Sequence, residues 1–141
     1  MRIAWAEFQK ALYDKIRLDA TIAGMITGVG DWLTPKTPLP YIAIREGSLQ
    51  EWLVKDKDGF QITADIHIFT DNYGSRKAKQ IADEVVNLLT SNALGMAVST
   101  NFMQIDKGRL SQSTVLLTEE DGRIIHIVLP IFFRFRSTTT N

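Results

Sequence analysis

The stretch Phe60-Gln61-Ile62-Thr63-Ala64-Asp65-Ile66-His67-Ile68-Phe69 alternates in character along its whole length. Phe60, Ile62, Ala64, Ile66 and Ile68 share one face; Gln61, Thr63, Asp65, His67 and Phe69 share the other. A period of two is the mark of a strand with one buried face, and the second face is expected to be largely solvated. Just upstream, Asp56-Lys57-Asp58-Gly59 supplies a tight turn with glycine where positive φ is wanted, so residues 47 to 71 read as a long hairpin. Its first arm continues from Tyr41-Ile42-Ala43-Ile44-Arg45-Glu46, a strand that starts as soon as the prolines at 35, 38 and 40 end.

On either side of this hairpin the period becomes helical. Downstream, Ala78, Ile81, Ala82, Val85, Leu88 and Leu89 form one stripe, with Asp71, Asn72 or Ser75 as candidate caps and an end near Ser91-Asn92. Upstream, Trp5, Phe8, Leu12 and Ile16 recur at steps of three and four, opposite Glu7, Lys10, Asp14 and Arg17. Asp19 caps a second, shorter helical turn through Ile22, Met25 and Ile26, which Gly28 and Gly30 would end. Near the C-terminus, Glu119-Glu120-Asp121-Gly122 repeats the turn chemistry of the first hairpin. It leads into a last strand whose odd face is Ile125, Ile127, Leu129, Ile131, Phe133 and Phe135. The order helix, strand, strand, helix, strand, strand implies an α+β domain. An antiparallel sheet of about four strands is expected, with two amphipathic helices packed on one face. Residues 1–136 form one domain in this reading, and 137–141 a frayed C-terminal tail.

Composition narrows the function. With 141 residues and 45% hydrophobic content, one core needs no staple. The absence of cysteine excludes disulfide scaffolds, thiol nucleophiles and iron–sulfur clusters. Sixteen basic side chains balance sixteen acidic ones, so no global field attracts nucleic acid or an anionic membrane. No secretion signal is expected at the start. The longest strongly apolar run, Ile124 to Phe133, contains His126 and Pro130 and falls short of the roughly 20 residues of a membrane helix.

Chemical motifs are sparse. There is no G-x-S-x-G elbow, no phosphate-binding glycine motif and no twelve-residue calcium loop, and the acidic clusters sit at hairpin tips where turn chemistry accounts for them. If their strands pair, His67 and His126 could meet beside Asp65 as a metal site. Two partly exposed sheet histidines are the simpler reading, because a catalytic zinc needs three protein ligands. No catalytic residue, cofactor or metal is expected. Arg76-Lys77-x-Lys79 opens the second long helix with positive charge, against the preference of the helix dipole, and so marks either a solvated helix end or a surface for phosphate or an acidic protein.

Two further stretches are apolar where solvent is expected. Leu49-Gln50-Glu51-Trp52-Leu53-Val54 lies on a hairpin arm long enough to overhang a four-stranded sheet, and it reads equally as core or as a protein-contact patch. The even face of the last strand, with Ile124, His126, Val128, Phe132 and Arg134, is also too apolar for full solvation. Leu49, Trp52, Leu53, Lys57, Asp58, Arg76, Lys77, His126, Phe132 and Arg134 are therefore the candidate interface residues of a subunit that assembles.

The order of elements and several local strings resemble the tail completion, or tail terminator, proteins of long-tailed bacteriophages. The resemblance rests on Pro40-Tyr41-Ile42-Ala43-Ile44, on Ala64 through Phe69, on Tyr73-Gly74-Ser75-Arg76 and on the helix Ala78 through Leu89. The segment Leu18 to Ile26 and the closing Phe133-Arg134-Phe135-Arg136 extend it over nearly the whole chain. It implies a non-catalytic virion protein. Such proteins form a ring, generally of six subunits, that caps the tail tube, ends its polymerisation and offers a surface to the head connector. DNA passes through the hole without sequence-specific binding. The resemblance also implies a place at the neck-proximal end of the tail, assembly in the host cytoplasm and no membrane partner. A head-to-tail connector or stopper subunit is the alternative in the same setting, and a small metal-dependent enzyme or ligand-binding domain the alternative outside it.

Overall fold

The computed structural model describes residues 5–31, 36–51, 59–71, 75–91, 97–99, 102–104, 108–111, 114–119 and 122–137. Helix α1 (Trp5–Arg17) buries Phe8, Leu12 and Ile16, as its spacing requires, while Trp5 remains 41% exposed. On its solvent side Lys10 and Arg17 each approach Asp14 at 3.2 Å, and these two hydrogen bonds, Arg17 first, hold the Asp14 carboxyl below its ordinary pKa. Asp19 caps the four-residue helix α2 (Ala20–Ala23) by accepting from the Ile22 N–H at 3.0 Å. This helix stops at Gly24, before Met25 and Ile26, which pack against the core from outside it.

Gly28 and Gly30, expected as helix stops, instead flank Val29 in strand β1 (Gly28–Gly30), which runs parallel to β2 (Tyr41–Glu51). One residue between two glycines carries no periodic signal, which is why no strand was legible there. Thr27 ties the connector down: its N–H donates to Pro40 O at 2.8 Å and its hydroxyl reaches Pro38 O at 2.7 Å.

Strands β2 and β3 (Gly59–Asp71) form the expected antiparallel hairpin, from Tyr41↔Phe69 to Glu51↔Phe60, with a register shift between Arg45 and Gly47. Helix α3 (Arg76–Thr90) follows and buries Ala78, Ile81, Val85 and Leu89. Short strands β4 (Ala97–Ser99), β5 (Phe102–Gln104) and β6 (Arg109–Leu110) come next. The chain closes with β7 (Val115–Glu119) and β8 (Ile124–Ser137), joined through Gly122 at φ 86°. Ser137, assigned to the frayed end, is the last residue of β8 and pairs with Phe102.

The fold is α+β. Among the described residues the sheet has eight strands in the order β1-β2-β3-β8-β5-β4, with β6 and β7 also paired to β8. The three long strands and β7 are the four expected, and β2-β3-β8-β7 is antiparallel throughout. The additions are short pieces, two of which, β5 and β6, share the edge of β8 with β7. Both long helices lie on the face carrying the odd residues of β8. Phe8 of α1 meets Phe133 and Phe135 at ring-centroid distances of 5.5 and 5.7 Å, and Phe60 stacks on Phe135 at 5.1 Å. Each fully buried Leu, Ile or Phe in this layer contributes about 1.5–3 kcal/mol. The hairpin does not overhang as far as Glu51 and Gly59, because β8 accompanies β3 to the pair Gly59↔Arg136.

Pro130 sits inside β8 without breaking it. Its carbonyl accepts from Ser111 N at 2.9 Å, so its nitrogen also faces that side. There the neighbouring strand changes from β6, which ends at Leu110↔Ile131, to β7, which begins at Val115↔Val128. The missing N–H falls in the gap, and the ladder to β3 stays whole.

The tightest backbone approach is at Gly108, whose N–H donates to Leu89 O at 3.1 Å at the end of α3. A Cβ there would collide with that carbonyl oxygen and lie 2.7 Å from a Phe133 ring carbon. Gly108→Ala is expected to cost about 1–3 kcal/mol. Urea denaturation would show it as a lowered midpoint with an unchanged slope, and an unchanged midpoint would refute the contact.

Candidate assembly surface

The face of the sheet away from the helices divides into two halves. At one half Gln61, Thr63 and Asp65 of β3 are half-buried, as are Phe132 and Arg134 of β8. The Arg134 guanidinium lies 5.5 Å over the Phe132 ring, and its Nε donates to Gln61 Oε1 at 3.0 Å. Arg109 of β6 is paired beside Phe132. This half is a polar sheet surface with one aromatic ring held under a cation, of the kind found at the rim of protein contacts.

The other half is closed, and here the expected solvated face is corrected. His67 and His126 are each only 7% exposed and Phe69 only 2%. Register explains the burial: Phe69 stands directly opposite His126, and His67 is diagonal to it. Phe69 and His126 stack at 4.3 Å, and His67 and His126 at 4.8 Å. Tyr41 and Leu117 continue the row on the neighbouring strands. Burial, helped by the charge of Asp31 and by Tyr13, raises the Tyr41 phenol above its ordinary pKa.

The two histidines thus meet, but not as the partly exposed pair first expected. His67 Nδ1 and His126 Nε2 are 2.6 Å apart, a hydrogen bond in which one ring nitrogen donates and the other accepts. Two nitrogens bound to one zinc at about 2.0–2.1 Å would stand farther apart than this. Among the described residues no group of three or more His, Asp or Glu is placed to hold a metal ion.

The structure separates the other candidate residues. Leu49 packs half-buried against the core and offers only its remaining surface to a partner. His126 is too deeply buried to be a primary contact. Arg76 and Lys77 are exposed on the first turn of α3. Trp52, Leu53, Lys57 and Asp58 lie outside the described residues.

A third apolar surface was missed in the sequence. Leu110, Leu116 and Leu117 are 42%, 40% and 42% exposed, all on β6 and β7. Strand β7 pairs only with β8 among the described strands, so its other edge has no strand partner among the described residues. Beside it a groove of about 540 Å³ runs between β6–β8 and α3, lined by Ala82, Val86, Leu110, Leu116 and Leu129. The signal was the doublet Leu116-Leu117. Alternation sends such a pair to opposite faces, and neither face is fully covered at an edge.

Comparisons with known proteins agree with this architecture. The model of the family described as tail completion protein gp17 matches residues 10–135. No curated protein matches the chain. Among solved structures, a chain from the virion of a native gene transfer agent particle is similar at 21% identity and a TM-score of 0.78, over 96% of this chain and 99% of that one. The gp17 protein of bacteriophage SPP1 is similar at 22% identity and a TM-score of 0.58, over 92% of this chain and 88% of that one. At these identities the likeness is one of fold.

The buried histidine pair is tested by a double-mutant cycle with His67→Phe and His126→Phe. A coupling of about 0.5–3 kcal/mol in chemical denaturation is expected for a hydrogen-bonded pair in contact. Additive losses would mean that the rings merely pack.

Proposed function

The chain belongs to the tail completion protein gp17 family and has a structural role in a phage tail; from that premise we propose that it forms a ring, of six subunits, that caps the tail tube. In this role the ring ends tube polymerisation at the neck-proximal end and presents a joining surface to the head connector. It assembles in the host cytoplasm from subunits that carry out no catalytic step. DNA passes through the hole, and a net charge of zero suits a wall that must not hold it, since each neutralised phosphate would add salt-dependent affinity.

The observation that carries the ring is the open edge of β7 with exposed leucines on both sides of it. An edge of unpaired backbone groups flanked by apolar side chains is a template for a second chain, and monomeric proteins usually blunt or cover it. Leu110 and Leu116 supply the apolar part of the contact from the α3 side, and Leu117 from the other. The rim is polar, with Arg109 and the Phe132–Arg134 pair along the same face. The segment between β2 and β3, with Trp52, Leu53, Lys57 and Asp58, is the remaining candidate contact, toward the adjoining ring in this proposal.

The native mass from light scattering after size exclusion tests the ring directly. Six chains of 15.9 kDa make a particle of about 95 kDa. A monomer at every concentration, with no binding to purified tail tubes, would sink the proposal. Leu110→Glu with Leu116→Glu should abolish assembly while leaving circular dichroism intact and stability within about 1 kcal/mol, as for exposed positions generally. Trp52→Glu should do the same if the hairpin tip is a contact, and an unfolded variant would place Trp52 in the core instead.

A further inference from the structure

A second cavity, away from the β7 edge, has the make-up of an anion site. It measures about 530 Å³ and lies where the end of β3, the turn after α2 and the Leu39-Pro40 peptide come together under the first turn of α3. Helix α3 is 15 residues long, has no acidic residue in its first turn and receives no side-chain hydrogen bond from Ser75 at its cap. Ser75 thus leaves these leading N–H groups, at the positive end of the helix dipole, without a side-chain cap of its own. Arg76 and Lys77 add two cationic side chains, exposed and in no ion pair among the described residues, and Asp71 on the rim offsets one of them.

A separate observation comes from the wall of the same cavity. Thr70, in its wall, is 1% exposed, and its hydroxyl oxygen is fully shielded with no hydrogen-bond partner. Buried hydroxyls are almost always paired, because leaving one unpaired forfeits its hydration for nothing. Nearby carbonyls that would repel an anion are already engaged: Pro40 O accepts from both the Thr27 N–H and its hydroxyl, and Ala20 O and Ile22 O accept from Gly24 and Met25. Against these engaged acceptors stand the donors of Thr70, Arg76 and Lys77, with the Asp71 carboxylate as the opposing charge on the rim.

We propose that this pocket binds a phosphate-type oxyanion, held by the α3 N-terminus, by Arg76 and Lys77, and by the Thr70 hydroxyl as an inner donor. The cavity is larger than a bare phosphate, so either inorganic phosphate or the phosphate of a nucleic acid backbone fits the same chemistry. The site lies within one subunit and stands or falls independently of the ring.

Titration of the full chain with inorganic phosphate, at fixed ionic strength against chloride, tests it through the amide resonances of Thr70 and Arg76 to Ala78. A saturable shift confined to these residues is expected with phosphate and none with chloride. Arg76→Gln with Lys77→Gln should abolish it. Thr70→Val should weaken binding by about fivefold to tenfold, while the ligand-free variant is at least as stable as the parent, because an unpaired buried hydroxyl has been removed. These opposite signs distinguish a ligand-binding hydroxyl from a structural one. A parallel titration with a short DNA duplex assigns the source: the same shifts, lost in the same variants, identify a backbone phosphate, and shifts with inorganic phosphate alone identify a free anion. Shifts that do not saturate, that chloride reproduces, or that survive both sets of substitutions would overturn the site.

Discussion

The structure depends on one ladder, the antiparallel pairing of β3 with β8 over thirteen consecutive positions from Gly59↔Arg136 to Asp71↔Ile124. Because side chains alternate with a period of two, this register decides both faces at once, and a slip of one residue would exchange them. In the observed register Phe60, Ile62, Ile66 and Ile68 share the helix-covered face with Ile125, Ile127, Leu129, Ile131, Phe133 and Phe135, all of them buried. The opposite face receives His67, Phe69 and His126 at adjacent positions. A wrong register would bury Asp65 and Arg134 under the helices, a cost of several kcal/mol for each uncompensated charge. The hydrophobic pattern and the buried histidine pair therefore enforce the same alignment from opposite sides of the sheet.

That alignment was legible because it is written in long segments. Eleven to fourteen residues of alternation in β2, β3 and β8, and the helical stripes of α1 and α3, each repeat their signal several times. Strands of two or three residues repeat nothing, so β1, β4, β5 and β6 left no trace; each exists because a neighbouring edge offered hydrogen bonds. The glycines at 28 and 30 are instructive. As punctuation they suggested a helix stop, whereas the helix had already ended at Gly24, and they lie beside Tyr41 in β1. Trp5 fits the apolar stripe of α1 in sequence, yet it sits at the first position of the helix, where the core has run out.

The functional surfaces were less legible, for a related reason. Apolar residues on an outer strand face signal a covered surface without saying what covers it. For His126 the ring neighbours are Phe69 and His67 of the same chain, a fact that depends on which strand pairs with β8 and in what register. For Leu116 and Leu117 the described chain provides no full cover, and this too follows from pairing: among the described strands β7 pairs with β8 alone. Arg76 and Lys77 stood out early as charges at the wrong end of a helix, but Thr70 beneath them was indistinguishable from any strand threonine until the fold set it in the same cavity.

The divided flank of β8 bears on how a ring of such subunits would close. A long unbroken edge strand is a poor closing device, because it accepts a partner in several registers and so favours open, slipping assemblies. Here the flank is broken at Pro130, where pairing passes from Leu110↔Ile131 to Val115↔Val128, and the free edge of β7 is only five residues long. Few registers are available to a partner strand of that length. The leucines project to opposite faces, so a neighbour must fit the α3 groove and the outer face together. A heterologous contact becomes a closed ring when its rotation is fixed, and an open filament when it is not. In the proposed assembly the shortness of β7 and the two-sided placement of Leu116 and Leu117 supply that constraint. The same break that lets proline into a central strand thus limits the edge through which the subunits of the proposed ring would meet.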